Sequence, residues 1–352
     1  MSGVRARVLA LVLVCLAAVG AGIGVGRWQS DAPAADGADD QTPARAPYTL
    51  TEIPLPGGDA GRATASAALG NGLLLVGTSN GRVYYVDPAN GATRLMTPTP
   101  APVRSIRVSA DGGTAAVLSE DGAVRVMNLS RTTPTDFTID PLEGPGGLSP
   151  DGGLFVYGSF EPTVVDVTTG RTSTLPEKPI PDGGRTAYED WAVTGDGLVR
   201  AAGLEGVETW DPADPDRVGE TIGCGCASRS VRFNGDGSLA TFGTADGHTV
   251  VVDLTTGRVR SDKTVAVGDF TIIWTATLFG DDRRAAAGTP SGVVVWDVEG
   301  RRVVWEHAFP GHHVEQVGAV PHSKALFIRT VQDGDSGDAV GSRLWLASPS
   351  SG

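Results

Sequence analysis

Cys224 and Cys226 are the first residues in this sequence whose spacing suggests chemistry. Across the single Gly225 they could form a disulfide whose small ring is strained and easily reduced, which would suit thiol exchange; a structural bridge or two idle thiols are the plainer readings. Zinc would need further ligands at regular spacing, and His307, His312 and His313 are distant in sequence. Asp333, Asp335 and Asp338 resemble part of a calcium loop, in which alternate carboxylates converge on one hard cation. Yet Gly337 takes the third alternate position, Asp338 is out of step and no glutamate follows at the usual distance. A solvated acidic loop is the competing reading. A serine triad needs a positioned Ser–His–carboxylate set; there is no Gly-x-Ser-x-Gly elbow, and none of the five histidines adjoins a marked nucleophile. No carboxylate pair for glycoside hydrolysis can be named. The expectation is no catalytic residue, no cofactor and no metal.

The remaining candidates are acidic and aromatic. Glu120, Asp121, Glu161, Glu205, Asp246, Asp333, Asp335 and Asp338 each follow an apolar run, and Phe160, Tyr188 and Trp191 are near some of them. Carboxylates gathered on one surface would draw cationic partners, and aromatic anchors carry much of the energy of interfaces. Whether they share a surface depends on the elements that hold them.

Those elements are repeats. Turns occur at Asn71-Gly72, Asp111-Gly112, Asp151-Gly152, Asp196-Gly197, Asp236-Gly237 and Asp281-Asp282, with Pro321-His322-Ser323 as a degenerate seventh, at spacings of 40, 40, 45, 40, 45 and 41 residues. Asp-Gly between apolar runs is a hairpin signal, read here with both central residues at positive φ. After each turn comes a short apolar strand, a second turn and a β-branched strand: 83–87, 124–128, 163–167, 207–211, 249–253, 293–297 and 343–347. Fourth strands follow at 93–97, 136–140, 171–175, 217–221, 258–262 and 302–309, but the seventh repeat has none. Tyr48–Leu55 is a spare strand at the other end, so the first strand is expected to complete the last repeat and close a ring without open edges. The expected fold is all-β: a seven-bladed β-propeller of four-stranded antiparallel blades over 48–352. Alternating strand direction then puts every second-to-third-strand loop, and all eight acids, on one face. The long loops Pro176–Asp190 and Gln332–Ser342 belong to that face, and divergence among repeats marks it as the face that does something beyond folding.

The Ser149-Pro150-Asp151-Gly152 turn and the Trp210-Asp211 and Trp296-Asp297 dipeptides resemble bacterial WD40 repeats, and Gly311-His312 resembles that family's Gly-His pair. A second resemblance, to quinoprotein-type propeller repeats, rests on Asp253–Gly257 and on Val295-Trp296-Asp297 followed by Arg302–Trp305. Those enzymes have more blades and paired adjacent cysteines, so the likeness is read as shared blade geometry. Both resemblances imply architecture more than activity.

The N-terminus is expected to export the propeller. Val8–Gly26 is uncharged for 19 residues, about 28 Å as a helix, with Arg5 and Arg7 before it and Asp31, Asp36, Asp39 and Asp40 after Arg27. The positive-inside rule leaves the N-terminus in the cytoplasm and the propeller outside. Residues 1–26 are read as a signal anchor, the alternative being a cleaved signal peptide and a secreted protein; 27–47, rich in Ala, Asp and Pro, as a flexible tether. Net charge is −13, and residues 1–46 hold four charges of each sign, so the excess lies beyond them. With no basic stripe, nucleic acid is not an expected partner. The reading is a membrane-anchored, extracytoplasmic, non-catalytic module for a protein or cell-envelope partner; the alternative is a propeller enzyme, a hydrolase, lyase or quinoprotein-like oxidoreductase, with its site in the central channel.

Overall fold

A computed structural model describes residues 48–55, 61–129, 135–139, 146–158, 162–176, 188–203, 206–218, 221–224, 226, 228–265, 272–333 and 339–350. The apolar segment Val8–Gly26 and the tether lie outside these residues. Among the described residues no helix is long and apolar enough to cross a membrane.

Among the described residues twenty-eight strands form seven four-stranded antiparallel sheets. Tyr48–Ile53 is β1. Blade one is Ala63–Ala68, Leu74–Thr78, Arg82–Val86 and Thr93–Pro98 (β2 to β5); blade two is Val103–Val108, Thr114–Ser119, Ala123–Asn128 and Thr135–Thr138 (β6 to β9). Blade three is Gly147–Leu148, Leu154–Tyr157, Thr163–Asp166 and Thr172–Thr174 (β10 to β13); blade four is Tyr188–Val193, Val199–Gly203, Gly206–Asp211 and Asp214–Val218 (β14 to β17). Blade five is Ser228–Phe233, Leu239–Thr244, His248–Asp253 and Arg258–Thr264 (β18 to β21); blade six is Thr275–Phe279, Arg284–Gly288, Gly292–Asp297 and Val303–Ala308 (β22 to β25). Blade seven takes His312–Ala319, Leu326–Asp333 and Ala339–Pro349 (β26 to β28) and adds β1 as its outer strand. Each inner strand touches the inner strands of both neighbouring blades, and β26 returns to β2, so the ring is closed.

Closure is as the spare strand required. β1 runs antiparallel to β28 in continuous register from Tyr48 opposite Pro349 to Ile53 opposite Leu344. Side chains alternate across a strand. Tyr48 and Leu50 pack with Phe279 and Trp305 of blade six, while Ile53 packs with Leu74, Val76 and Val86 of blade one. The N-terminal strand thus ties blade seven to both neighbours.

The Asp-Gly turns are built differently from the expected hairpin. In Ser109–Thr114, Gly112 N–H donates to Ser109 O (2.9 Å), and of the two central residues only Gly112 has positive φ, +70°. This is a four-residue loop around a type I turn, which needs one left-handed residue and not two. The aspartate instead braces the loop from within. Ser109 Oγ and Gly113 N–H both donate to Asp111 Oδ1 (2.6 and 2.8 Å), and Thr114 N–H donates to Ser109 Oγ (2.9 Å). Ser149 and Asp151 repeat the arrangement. Only Asp281-Asp282 has both central residues left-handed, at 58° and 59°. The fourth strand of blade four also begins earlier than expected, at Asp214, because an irregularity at Trp210/Asp211 brings Val218 opposite Trp210.

Candidate binding face and central channel

The second-to-third-strand turns share one face by strand direction, and four of the eight acids fall on described residues there. Glu120 and Asp121 are exposed between β7 and β8, and Asp246 is exposed between β19 and β20. Asp333 ends β27. Two of these carboxylates also hold their turns: Ala123 N–H donates to Asp121 Oδ1 (3.2 Å), and the Thr244 hydroxyl donates to Asp246. The Thr244 bond is the main reason Asp246 lies below the usual carboxylate range, so it stays ionised in neutral solution. Glu161, Glu205, Asp335, Asp338 and Phe160 lie outside the described residues. Among the described residues no cluster of His, Cys, Asp and Glu could hold a metal.

The aromatic expectation needs correction. Tyr188 and Trp191 are core residues, 6% and 3% exposed, not surface anchors. They pack with each other at 5.0 Å and with Trp210 at 5.8 and 6.1 Å between ring centroids, the Tyr188 hydroxyl donates to buried Glu208, and Trp191 Nε1–H donates to Gly158 O (3.0 Å). Large aromatic rings on an inner strand are drawn to blade interfaces, where they bury most area.

Among the described residues of this face the exposed aromatic is Trp274. It is 43% exposed and Ile272 is 37% exposed, while Ile273 between them is fully buried. Alternation at the entrance to β22 turns these two outward. Trp274 meets the His313 ring edge-on at 4.9 Å. Ile273 N–H donates to Thr244 O (3.0 Å), which fixes this apolar ledge beside the turn that carries Asp246. Charge near the channel mouth is mixed: Arg104, Arg229 and Glu315 are exposed there, and among the described outer turns Glu120, Asp121 and Asp246 are exposed acids.

In the channel, Asp190 of blade four joins blades two, four and five. Arg107 of blade two donates from Nη2 to Asp190 Oδ1 (2.6 Å) and from Nε to Gly146 O (3.2 Å). Arg232 of blade five approaches the same oxygen at 3.4 Å, and Phe233 N–H donates to Oδ2 (3.3 Å). Blade three's inner strand is only two residues long, and a Cβ at Gly147 would come within 2.1 Å of Trp191 O, so blade four packs tightly over it. Arg107 reaches across that short strand. Burial lowers Arg107 to about 10 against the pull of Asp190, and the like charge of Arg232 adds to the lowering. Glu189 is raised by burial, with Arg232 and Arg229 opposing. Asp190 is therefore a paired structural anion; removing such a partner typically costs about 3–5 kcal/mol. The channel widens at the opposite end, among the first-to-second-strand turns, into a cavity of about 460 Å³. Cys224 and Cys226 form a disulfide packed against the core of blade five.

The fold is that of a seven-bladed β-propeller. The family described as outer membrane protein assembly factor BamB matches residues 16–135, about a third of the chain. The β-propeller domain of Cps50 (Swd1) from Myceliophteria thermophila superimposes with a TM-score of 0.66 at 16% identity, covering 86% of this chain and 100% of that one. At that identity the likeness concerns the fold. No curated protein matches the sequence.

Proposed function

We propose that this chain is an extracytoplasmic propeller, held to the cytoplasmic membrane by Val8–Gly26, that acts as a non-catalytic interaction module. Its partner is a protein or envelope component that docks on the face of the second-to-third-strand turns. The observation that carries this reading is the ledge of Trp274 and Ile272, exposed beside His313 and the Asp246 turn. An exposed aromatic beside an acidic turn suits a partner with an apolar anchor and a basic group near it. Likeness over 16–135 to an outer membrane assembly factor supports an envelope setting. Catalysis in the channel is less well supported, because Asp190 is committed to two guanidinium groups and a backbone N–H.

The test is capture of envelope proteins by the tagged full chain, comparing the parent with Trp274→Ala and with a variant in which Asp121, Glu161, Glu205 and Asp246 become Asn or Gln. Both variants are expected to lose capture, the second with a flatter salt dependence. Capture that is unchanged in both, with the fold intact, would move the site elsewhere.

A further inference from the structure

The channel cavity at the end away from the proposed docking face has two poles of opposite charge. At its inner wall Arg107 and Arg232 share one carboxylate, Asp190. Arg232 contacts Val231 O (3.2 Å) and Asp190 (3.4 Å), both through Nη1. Among the described residues nothing accepts from its Nε or Nη2, and its side chain is 36% exposed. A guanidinium in that state can still offer a two-pronged hydrogen bond to an incoming carboxylate.

At the mouth stand Asp236, Asp281 and Asp282. Burial raises Asp282, and the like charges of Asp236 and Asp281 add to the rise, while Asn234 Nδ2–H (2.8 Å) and the more distant Arg260 partly offset it. Asp236 is held by Ser238 N–H (2.9 Å) and Asp282 by the Asn234 amide, so three carboxylates at one mouth share few donors and favour a cation. Between the poles the walls are apolar: Ile106, Val108, Leu278 and Phe279. The volume, about 460 Å³, is within the range of pockets that enclose small molecules, ~300–1,000 Å³.

We propose that this cavity binds a small amphoteric molecule, its carboxylate on Arg232 and Arg107 and its ammonium group among Asp236, Asp281 and Asp282, with a short hydrocarbon stretch against the apolar walls. This ligand site is separate from the docking face and does not depend on it. A lone anion would leave the acidic mouth without a cation of its own, and a lone cation would leave Arg232 Nε and Nη2 without an acceptor. Glu189 also lies in the field of Arg232, on the side of Arg229, and tempers the inner pole without closing it.

Thermal unfolding of the full chain tests the proposal. The probes are straight-chain ω-amino carboxylates of two to eight carbons, with the alkanoate and the alkylamine of each length as controls. One or two adjacent lengths should raise the melting temperature saturably, binding about tenfold or more tighter than either control. Arg232→Gln should abolish that rise. Asp281→Asn with Asp282→Asn should remove the advantage of the amine while leaving the alkanoate response in place. If Arg232→Gln does not fold, the aspartate pair decides. No shift with any probe at millimolar concentration, an equal shift from amino carboxylate and alkanoate in the parent, or an undiminished shift in folded Arg232→Gln would overturn the proposal.

Discussion

Replacing Tyr48 and Ile53 by alanine probes the strand that closes the ring. Tyr48 is 4% exposed and Ile53 is 1% exposed, on opposite faces of β1. Tyr48 lies 5.3 Å from the Trp305 ring, and its hydroxyl meets Arg284 of blade six. Truncating a large buried aromatic costs about 3–5 kcal/mol and truncating a buried isoleucine about 2–5 kcal/mol. The two sites are roughly 17 Å apart along the strand and share no cluster, so the losses should add to about 5–10 kcal/mol. That is comparable with the whole stability of a typical domain, about 5–15 kcal/mol. Each single variant should unfold at clearly lower urea, and the double variant should be largely unfolded without urea, read by far-ultraviolet circular dichroism on the full chain. Glu52→Ala is the internal control. Glu52 is exposed and meets Arg343 only at 3.8 Å, a contact worth about 0–1 kcal/mol. If Tyr48→Ala and Ile53→Ala cost no more than Glu52→Ala, β1 does not hold the ring.

Three further outcomes are expected. Because the Asp282 carboxyl is raised by burial in the folded state, the folded chain holds its proton more tightly than the unfolded chain, and stability falls as pH rises through that raised value. Asp282→Asn should therefore match the parent at low pH and exceed it at neutral pH in urea titrations; equal stability at both would show that the group is not strained. With Cys224 and Cys226 bridged, unreduced protein should weigh about two hydrogens less than reduced protein by intact mass spectrometry, as disulfide formation requires; labelling of both thiols before reduction would contradict the bridge. In spheroplasts the propeller should be cut by added protease while the N-terminus is protected, and an active cytoplasmic reporter fused at Gly352 would reverse that topology.

The ring was legible because its punctuation is local. Each Asp-Gly turn sits within a few residues of the strands it joins, and Tyr48–Leu55 stood out as a strand without a partner. The local backbone was less legible: one left-handed glycine and a Ser–Asp hydrogen bond make the same turn that two left-handed residues would make. The channel was illegible for a different reason. Arg107, Asp190 and Phe233 meet from three blades, with Asp190 83 residues from Arg107 and 43 from Phe233, and no local pattern records such a meeting. A faint signal did exist. Arg104-Ser-Ile-Arg107 and Arg229-Ser-Val-Arg232 place arginines at matching positions in inner strands that are otherwise largely apolar. Trp274 was hidden because Phe270–Phe279 (FTIIWTATLF) reads as one continuous core strand. Only the ring's geometry turns Ile272 and Trp274 outward while burying Ile273. Tyr188 and Trp191 went the other way, since aromatic type alone does not separate an anchor from a blade interface.

Trp274 gives the most direct test of the docking face. With 43% of its surface open, about 100 Å² remains to be covered by a partner, worth roughly 2.5 kcal/mol at ~25 cal/mol per Å². Trp274→Ala should therefore weaken capture of the envelope partner by about 30- to 100-fold, measured as the chain concentration giving half-maximal capture, while urea unfolding stays close to the parent. Half-maximal capture at the parental concentration, with the fold intact, would contradict the docking face proposed for this propeller.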